Sequence, residues 1–132
     1  VTKNQKRAIE IARAAFPVDF GDRRCFHVSL LFRGSKLLCF AENSAKTHSR
    51  NRYNSKWDLR LKKQCSELRL FLAARSKIKE INWSKMTIIN VRLGRHMEVL
   101  NSKPCLSCSN LVKFVSPKAL QYSTEEGFKE YN

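Results

Sequence analysis

The chain has no long hydrophobic run: no apolar stretch approaches the roughly 20 residues that span a bilayer. Its first residues lack the pattern of a signal peptide, because Val1–Ala15 carries charges throughout. Together these features predict a cytoplasmic protein with no membrane partner. Internal repeats and low-complexity segments are missing too. With 132 residues, 42% of them apolar, the chain suits a single domain over 1–132 with one packed core. Acidic residues are scarce, 11 against 26 Lys and Arg, for a net charge of +15. Such an excess implies a polyanionic partner or a phosphate-bearing substrate. A basic surface that serves solubility alone gives the same number. An even cysteine count is absent as well. Five cysteines in a reducing compartment argue against a disulfide framework and for metal binding or unpaired thiols.

Hydrophobic spacing supplies the elements. Residues 3–15 place Ala8, Ile11, Ala12 and Ala15 on one helical face, and Phe16-Pro17 ends the helix. CFHVSLLF (25–32) and KLLCFAEN (36–43) read as strands joined by the tight turn Arg33-Gly34-Ser35, a hairpin over 25–43. Cys25 and Cys39 fall inside these runs and read as small buried hydrophobes. Residues 44–58 show no apolar period and read as a long loop. Helical spacing returns over 59–77, with Leu61, Leu68, Leu72 and Ala73 on one side. MTIINVRL (86–93) is a third strand, and Gly94 opens a turn. Residues 105–115 form a short helix offering Leu106, Leu111 and Val115 to the core, and KALQYS (118–123) is a fourth strand. The polar tail, 124–132, holds a short last strand or helix. A hairpin followed by strand–helix alternation predicts an α/β fold, a mixed sheet of four to five strands with helices packed on its faces.

Chemistry concentrates in two short runs. In SKPCLSC, Cys105 and Cys108 lie at the start of a predicted helix, behind Pro104, a favoured residue at that position. A helix N-terminus lowers thiol pKa and so favours the metal-binding thiolate. Forty residues earlier, Cys65 is followed two positions on by Glu67, also near a helix start. Together they spell C-x-E … P-C-x-x-C, the three-cysteine form of the zinc deaminase signature. Three protein ligands leave the fourth tetrahedral position of Zn2+ open to water, whose pKa the metal brings from about 15.7 toward neutrality. Glu67, too near Cys65 to serve as an obvious fourth ligand, is placed to shuttle protons from that water to the base. The competing reading is a closed zinc staple with His48, His96 or Cys39 as the fourth ligand, in which Glu67 and Pro104 have no role.

From about residue 25 to 123 the chain resembles the cytidine/deoxycytidylate deaminase superfamily, most closely its small phage-encoded CMP/dCMP-type members. The resemblance is carried by ENSAKTH (42–48), CSEL (65–68), SKPCLSC (102–108) and YSTEEGFKEY (122–131). It implies a three-layer α/β/α sandwich with a five-stranded sheet, zinc on Cys65, Cys105 and Cys108, and Glu67 as catalytic acid/base. It also implies that Asn43 hydrogen-bonds a substrate sugar, that the chain assembles as a homo-oligomer, and that a phage-encoded copy works in the host cytoplasm. One position departs: the phage relatives usually carry histidine where this chain has Cys65, whereas the free-nucleoside enzymes carry cysteine. A third thiolate makes the site more anionic; Arg69, four residues after Cys65 and on the same side of the helix, is a candidate cation to balance it, or else a surface arginine.

The segment 44–63 carries seven Lys and Arg against Asp58 alone, with Tyr53 and Trp57 interleaved, a composition that suits phosphate neutralisation and base stacking. It is a candidate substrate lid or single-stranded nucleic-acid groove, or else a solvated loop whose Trp57 packs inward. Candidate substrate contacts are Asn43, His48, Trp57, Ser66, Arg69 and Pro104. The leading function is hydrolytic deamination of cytosine to uracil on a nucleoside or nucleotide such as (deoxy)cytidine or dCMP. The alternatives are the same reaction on single-stranded DNA or RNA, and a non-catalytic nucleic-acid-binding protein with a structural zinc.

Overall fold

The computed structural model describes residues 1–16, 26–43, 66–104 and 106–131. Helix α1 spans Lys3–Ala15 and starts at a capping box. Thr2 Oγ1 accepts the Gln5 N–H at 3.1 Å and Gln5 Oε1 accepts the Thr2 N–H at 3.0 Å, so two donors that the helix leaves unpaired are satisfied. Strands β1 (Phe26–Arg33) and β2 (Lys36–Glu42) form the expected hairpin. Gly34 takes φ +59° in the first position of its two-residue loop, a position where hairpins need glycine. Helix α2 runs Ser66–Lys77, a short 3₁₀ turn covers Trp83–Lys85, and β3 follows at Thr87–Leu93. Then come β4 (Val99–Leu100), α3 (Leu106–Val115), β5 (Ala119–Thr124) and β6 (Gly127–Glu130).

The six strands make one mixed sheet in the order β2-β1-β3-β5-β6, with β4 pairing the end of β3. Strands β3 and β5 are parallel; the other pairs are antiparallel. Alternation along the strands sends side chains to two cores. Phe26, Val28, Leu30 and Phe32 of β1 join Ile89, Val91 and Leu93 of β3 under Ala8 and Ala12 of α1. On the opposite face Leu31, Ile88 and Leu120 pack with Leu70 and Ala74 of α2 and Val112 of α3. Helices therefore cover both faces of the sheet.

The hairpin, β3, β5, α1, α3 and the described part of the helix expected over 59–77 lie where the spacing predicts. Two expectations are corrected. Among the described residues the sheet has six strands rather than four or five, because β6 forms in the tail and the two-residue β4 is too short to leave a periodic signal. The buried stripe of α2 is Leu68, Leu70, Phe71 and Ala74, with Leu72 and Ala73 only partly covered. The first part of the helix expected over 59–77, including Leu61, lies outside the described residues, as do Cys25 and the segment 44–63. Cys39 is a core residue, 5% exposed, as expected. Among the described residues no helix is long and apolar enough to cross a membrane.

Candidate active site

Topology decides where the candidate residues meet. Strand β2 is antiparallel to β1, and β1 to β3, so β2 and β3 run the same way. Helix α2 connects β2 to β3, and α3 connects β3 to its parallel neighbour β5. Each helix thus begins beyond the C-terminal end of a strand and returns along the same face. Both helix N-termini come to one end of the sheet, the end where open α/β sheets bind ligands. Glu67 is the second residue of α2 and Cys108 the third of α3. The helices pack through Leu68 and Phe71 against Leu111, and the narrow cleft between them is lined by Glu67, Leu70, Phe71, Leu111 and Val112. Its free volume of about 10 Å³ is at the threshold for one water molecule, so the cleft is too small to hold a nucleobase.

Glu67 is buried, 7% exposed, and is held from the strand side. Asn90, in the middle of β3, donates from Nδ2 to Glu67 Oε1 at 2.8 Å. The Asn90 Oδ1 accepts the Ser29 hydroxyl of β1 at 2.6 Å. Ser29 Oγ and Ser66 Oγ lie 2.8 Å apart. With the Ser29 proton spent on Asn90, Ser66 is the donor in that pair. The chain of bonds therefore has one sense, Ser66 to Ser29 to Asn90 to Glu67, and all four residues are buried. Such a network fixes the amide orientation of Asn90 and aims an N–H at the carboxylate.

A second buried cluster positions the segment leading into α3. The Ser102 hydroxyl donates to the Asn90 carbonyl at 3.0 Å, and the Ser102 N–H to the Ser123 carbonyl at 2.9 Å. Ser123 N–H donates to Ser102 Oγ at 2.7 Å. The Ser123 hydroxyl reaches the Leu100 carbonyl at 2.8 Å and accepts the Arg92 N–H at 3.1 Å. Ser102 to Pro104 are thus clasped onto the ends of β3 and β5, just before α3.

Of the expected metal ligands, Cys108 is fully buried, and Cys65 and Cys105 lie outside the described residues. Among the described residues no three His, Cys, Asp or Glu side chains gather as a metal site. His96, offered as a fourth ligand of a closed staple, is exposed in the β3–β4 turn, and Cys39 packs among apolar side chains with Leu70 and Ala74. His48 and Trp57 lie outside the described residues. Asn43 follows the last residue of β2 and is tied back to β1: its N–H donates to the His27 carbonyl at 3.0 Å and its Oδ1 accepts the His27 N–H at 3.1 Å. Its N–H and Oδ1 are thus both spent on His27. Ser66 spends its hydroxyl on Ser29, and Pro104 is buried, its carbonyl 3.5 Å from Ser109 Oγ. Arg69 donates from Nη1 to the Glu42 carbonyl at 2.8 Å, so its guanidinium anchors the end of β2 beside Asn43.

The residues that sequence reasoning missed are Ser29, Asn90, Ser102 and Ser123. A signal existed for two of them: each is a lone polar residue inside an otherwise apolar strand, Ser29 in FHVSLLF and Asn90 in TIINVRL. Arg92, two residues beyond Asn90 on the same face, adds a buried Nε with no hydrogen-bond partner among the described residues. No protein-family model matches the chain, and no curated protein matches it.

Proposed function

We propose that the chain is a zinc-dependent hydrolase that converts a cytosine base to uracil on a free nucleoside or nucleotide, releasing ammonia. One observation carries this reading. Glu67 and Cys108, far apart in the chain, stand in the first turns of two crossover helices that open at the same end of the sheet, with Glu67 held by Asn90. Helices on both faces of a mixed sheet agree with the three-layer sandwich of the deaminase family.

The one described thiol of the set suits a metal. Cys108 is a buried thiol in a helix first turn that contains no acid, where backbone N–H groups favour the thiolate. Cys65 and Cys105, each directly preceding a helix in the chain, complete the set. Zinc bound there supplies a Lewis acid that lowers the pKa of a water toward neutrality. Asn90 keeps one oxygen of Glu67 on the strand side, which suits a proton shuttle better than a ligand. Glu67 takes a proton from the attacking water and delivers it to the ring nitrogen; it then takes the second proton from the hydroxyl added to the ring carbon and passes it to the departing amine. Water adds at the amine-bearing carbon and ammonia leaves, so the atoms balance. Asn43, anchored to His27 and flanked by the Arg69–Glu42 bond, presents its amide to the sugar.

The test is ammonia release with mass spectrometry of products from zinc-loaded protein. Cytidine, deoxycytidine, their monophosphates and a cytosine-containing single-stranded oligonucleotide are offered in parallel. Conversion of a small substrate that disappears in Glu67→Ala, with zinc content and melting temperature unchanged, is the expected result. One tightly held zinc on three cysteines with no conversion of any substrate would overturn the reading in favour of a structural metal. Conversion of the oligonucleotide alone would replace the proposed substrate with a nucleic-acid strand.

A further inference from the structure

We infer that the end of the sheet opposite the candidate active site is a docking surface for single-stranded nucleic acid. The same topology that gathers Glu67 and Cys108 at one end gathers cations at the other. Strand β1 ends at Arg33 and β2 begins at Lys36; Lys85 precedes β3 and Lys118 precedes β5. Helix α1 begins here at Lys3, its first turn tied to the hairpin by Asn4 Nδ2 donating to the Gly34 carbonyl at 2.8 Å. Helices α2 and α3 return to this end and finish with Arg75, Lys77 and Lys113. All eight side chains are exposed. The acids here are Glu80 and Glu130, each with a lysine beside it in the chain, Lys79 and Lys129. At the active-site end the described exposed charges cancel: Glu98, Glu125 and Glu126 against Arg13, Arg95 and Lys103.

Helix dipoles account for Arg75, Lys77 and Lys113, which sit at the negative ends of their helices. Others are set against the fold. Arg33 and Lys36 are directly opposed across the hairpin, a like-charge pair that destabilises a sheet. Lys3 and Lys6 lie in the first turn of α1, which holds no acid, so they oppose the positive end of that helix. A bound polyanion relieves both repulsions. One exposed ring stands among these cations, Phe114, 52% exposed beside Lys113; Trp83, ahead of Lys85, is stacked on Phe71 at 5.9 Å and belongs to the core. An exposed ring beside a cation gives an unpaired base a stacking surface, which lipid headgroups and duplexes do not use. A shallow cavity of about 300 Å³ between α1 and the strand ends, lined by Thr2, Lys3, Asn4, Ser35 and Gln121, offers hydroxyl and amide donors for sugar and phosphate oxygens.

This surface is independent of the deaminase reading and of the segment 44–63. The probe is a labelled 20-nucleotide oligothymidine, which contains no cytosine, followed by fluorescence anisotropy across a salt series. The variant Lys36→Glu/Lys85→Glu/Lys118→Glu is compared with Lys46→Glu/Arg50→Glu/Arg52→Glu. Each phosphate neutralised on a single strand adds about 0.7 to the salt slope, so the first triple variant lowers the slope by about 2 and weakens binding at least tenfold. The second leaves most of the binding intact. Oligothymidine also raises the melting temperature of the wild type, as any ligand of the folded state does. Lys36→Glu turns a like-charge pair into an attractive one, so the first variant keeps its melting temperature and lost binding is not lost folding. Three results would overturn the proposal: no oligothymidine binding by the wild type, an unchanged slope in the first variant with binding lost in the second, or binding to phosphatidylserine vesicles without binding to the oligonucleotide.

Discussion

Replacing Ser123 with alanine tests whether the clasp before α3 has the weight its geometry implies. Ser123 is fully buried in β5. Parallel pairing of β3 with β5 extends to Asn90 and Tyr122, and beyond it the Arg92 N–H finds the Ser123 hydroxyl at 3.1 Å. The one proton of that hydroxyl is contested by the Leu100 carbonyl at 2.8 Å and Ser102 Oγ at 2.9 Å. Alanine removes an acceptor from Arg92 N–H and a donor from Leu100, and leaves a space too small for water to replace them. A typical net hydrogen bond contributes about 1 kcal/mol, and a buried group left unpaired costs about 1–3 kcal/mol, so the expected loss is roughly 2–3 kcal/mol. For a domain of 132 residues that corresponds to a fall in melting temperature of roughly 7–11 °C. Urea unfolding followed by tryptophan fluorescence measures it as a shift in midpoint at constant slope. Ser102→Ala and the double variant complete a cycle, in which the two losses add to more than the double variant shows because the residues share bonds. A Ser123→Ala protein within about 0.5 kcal/mol of wild type, the range of an unremarkable surface change, would refute the assignment of these contacts as a clasp.

Other outcomes follow from the same structure. Asn90→Ala removes the donor to Glu67 and costs about 1–3 kcal/mol in urea unfolding; on the deaminase reading it also lowers kcat while KM holds. Thr2→Ala breaks the capping box of α1 and costs about 1 kcal/mol, visible as faster amide exchange in the first turn. Leu30→Ala opens a cavity between β1 and α1 and costs about 2–5 kcal/mol by the same assay. Burial pushes the Cys39 thiol above its ordinary pKa, with Lys77 pulling it back. A group raised on folding contributes stability that is full below its unfolded pKa, about 8.5, and is lost as pH rises through the folded value. Wild-type stability therefore falls more steeply above that pH than that of Cys39→Ala, and parallel slopes in urea titrations would contradict the burial of this thiol.

Much of the fold was legible because the strands are dense in β-branched and aromatic residues and the hairpin turn carries its glycine. The inner face of α2 was not legible. LRLFLAA is apolar on most sides, so the period cannot choose among faces, and the choice is made by packing against both the sheet and α3. In the candidate site, the spacing of Glu67 and Cys108 marked two helix starts, and both stand in a first turn. What the spacing could not supply was partnership. Asn90 and Ser29 are visible as polar letters in apolar strands, but their union with Glu67 spans elements 23 and 61 residues apart in the pairs concerned. Arg69 shows the limit of helical-face reasoning. Its long side chain carries the guanidinium back to the Glu42 carbonyl, where a charge was expected to serve the metal.

The position of α1 has a consequence for how the chain is made. Its apolar face closes over Phe26, Val28 and Leu30 only when Ile89 and Val91 complete the sheet beneath it, and Gln5 Nε2 donates to Gln121 Oε1 at 2.9 Å, 116 residues away. During vectorial synthesis the ribosome delivers α1 and the hairpin first, while the strands that seal them are still inside the exit tunnel. Until β3 and β5 emerge, one of the most apolar segments of the protein waits uncovered, with an unsatisfied sheet edge beside it. Nascent chains stalled before β5 are therefore the species most dependent on chaperones, and the fold closes in one late step once β5 has emerged.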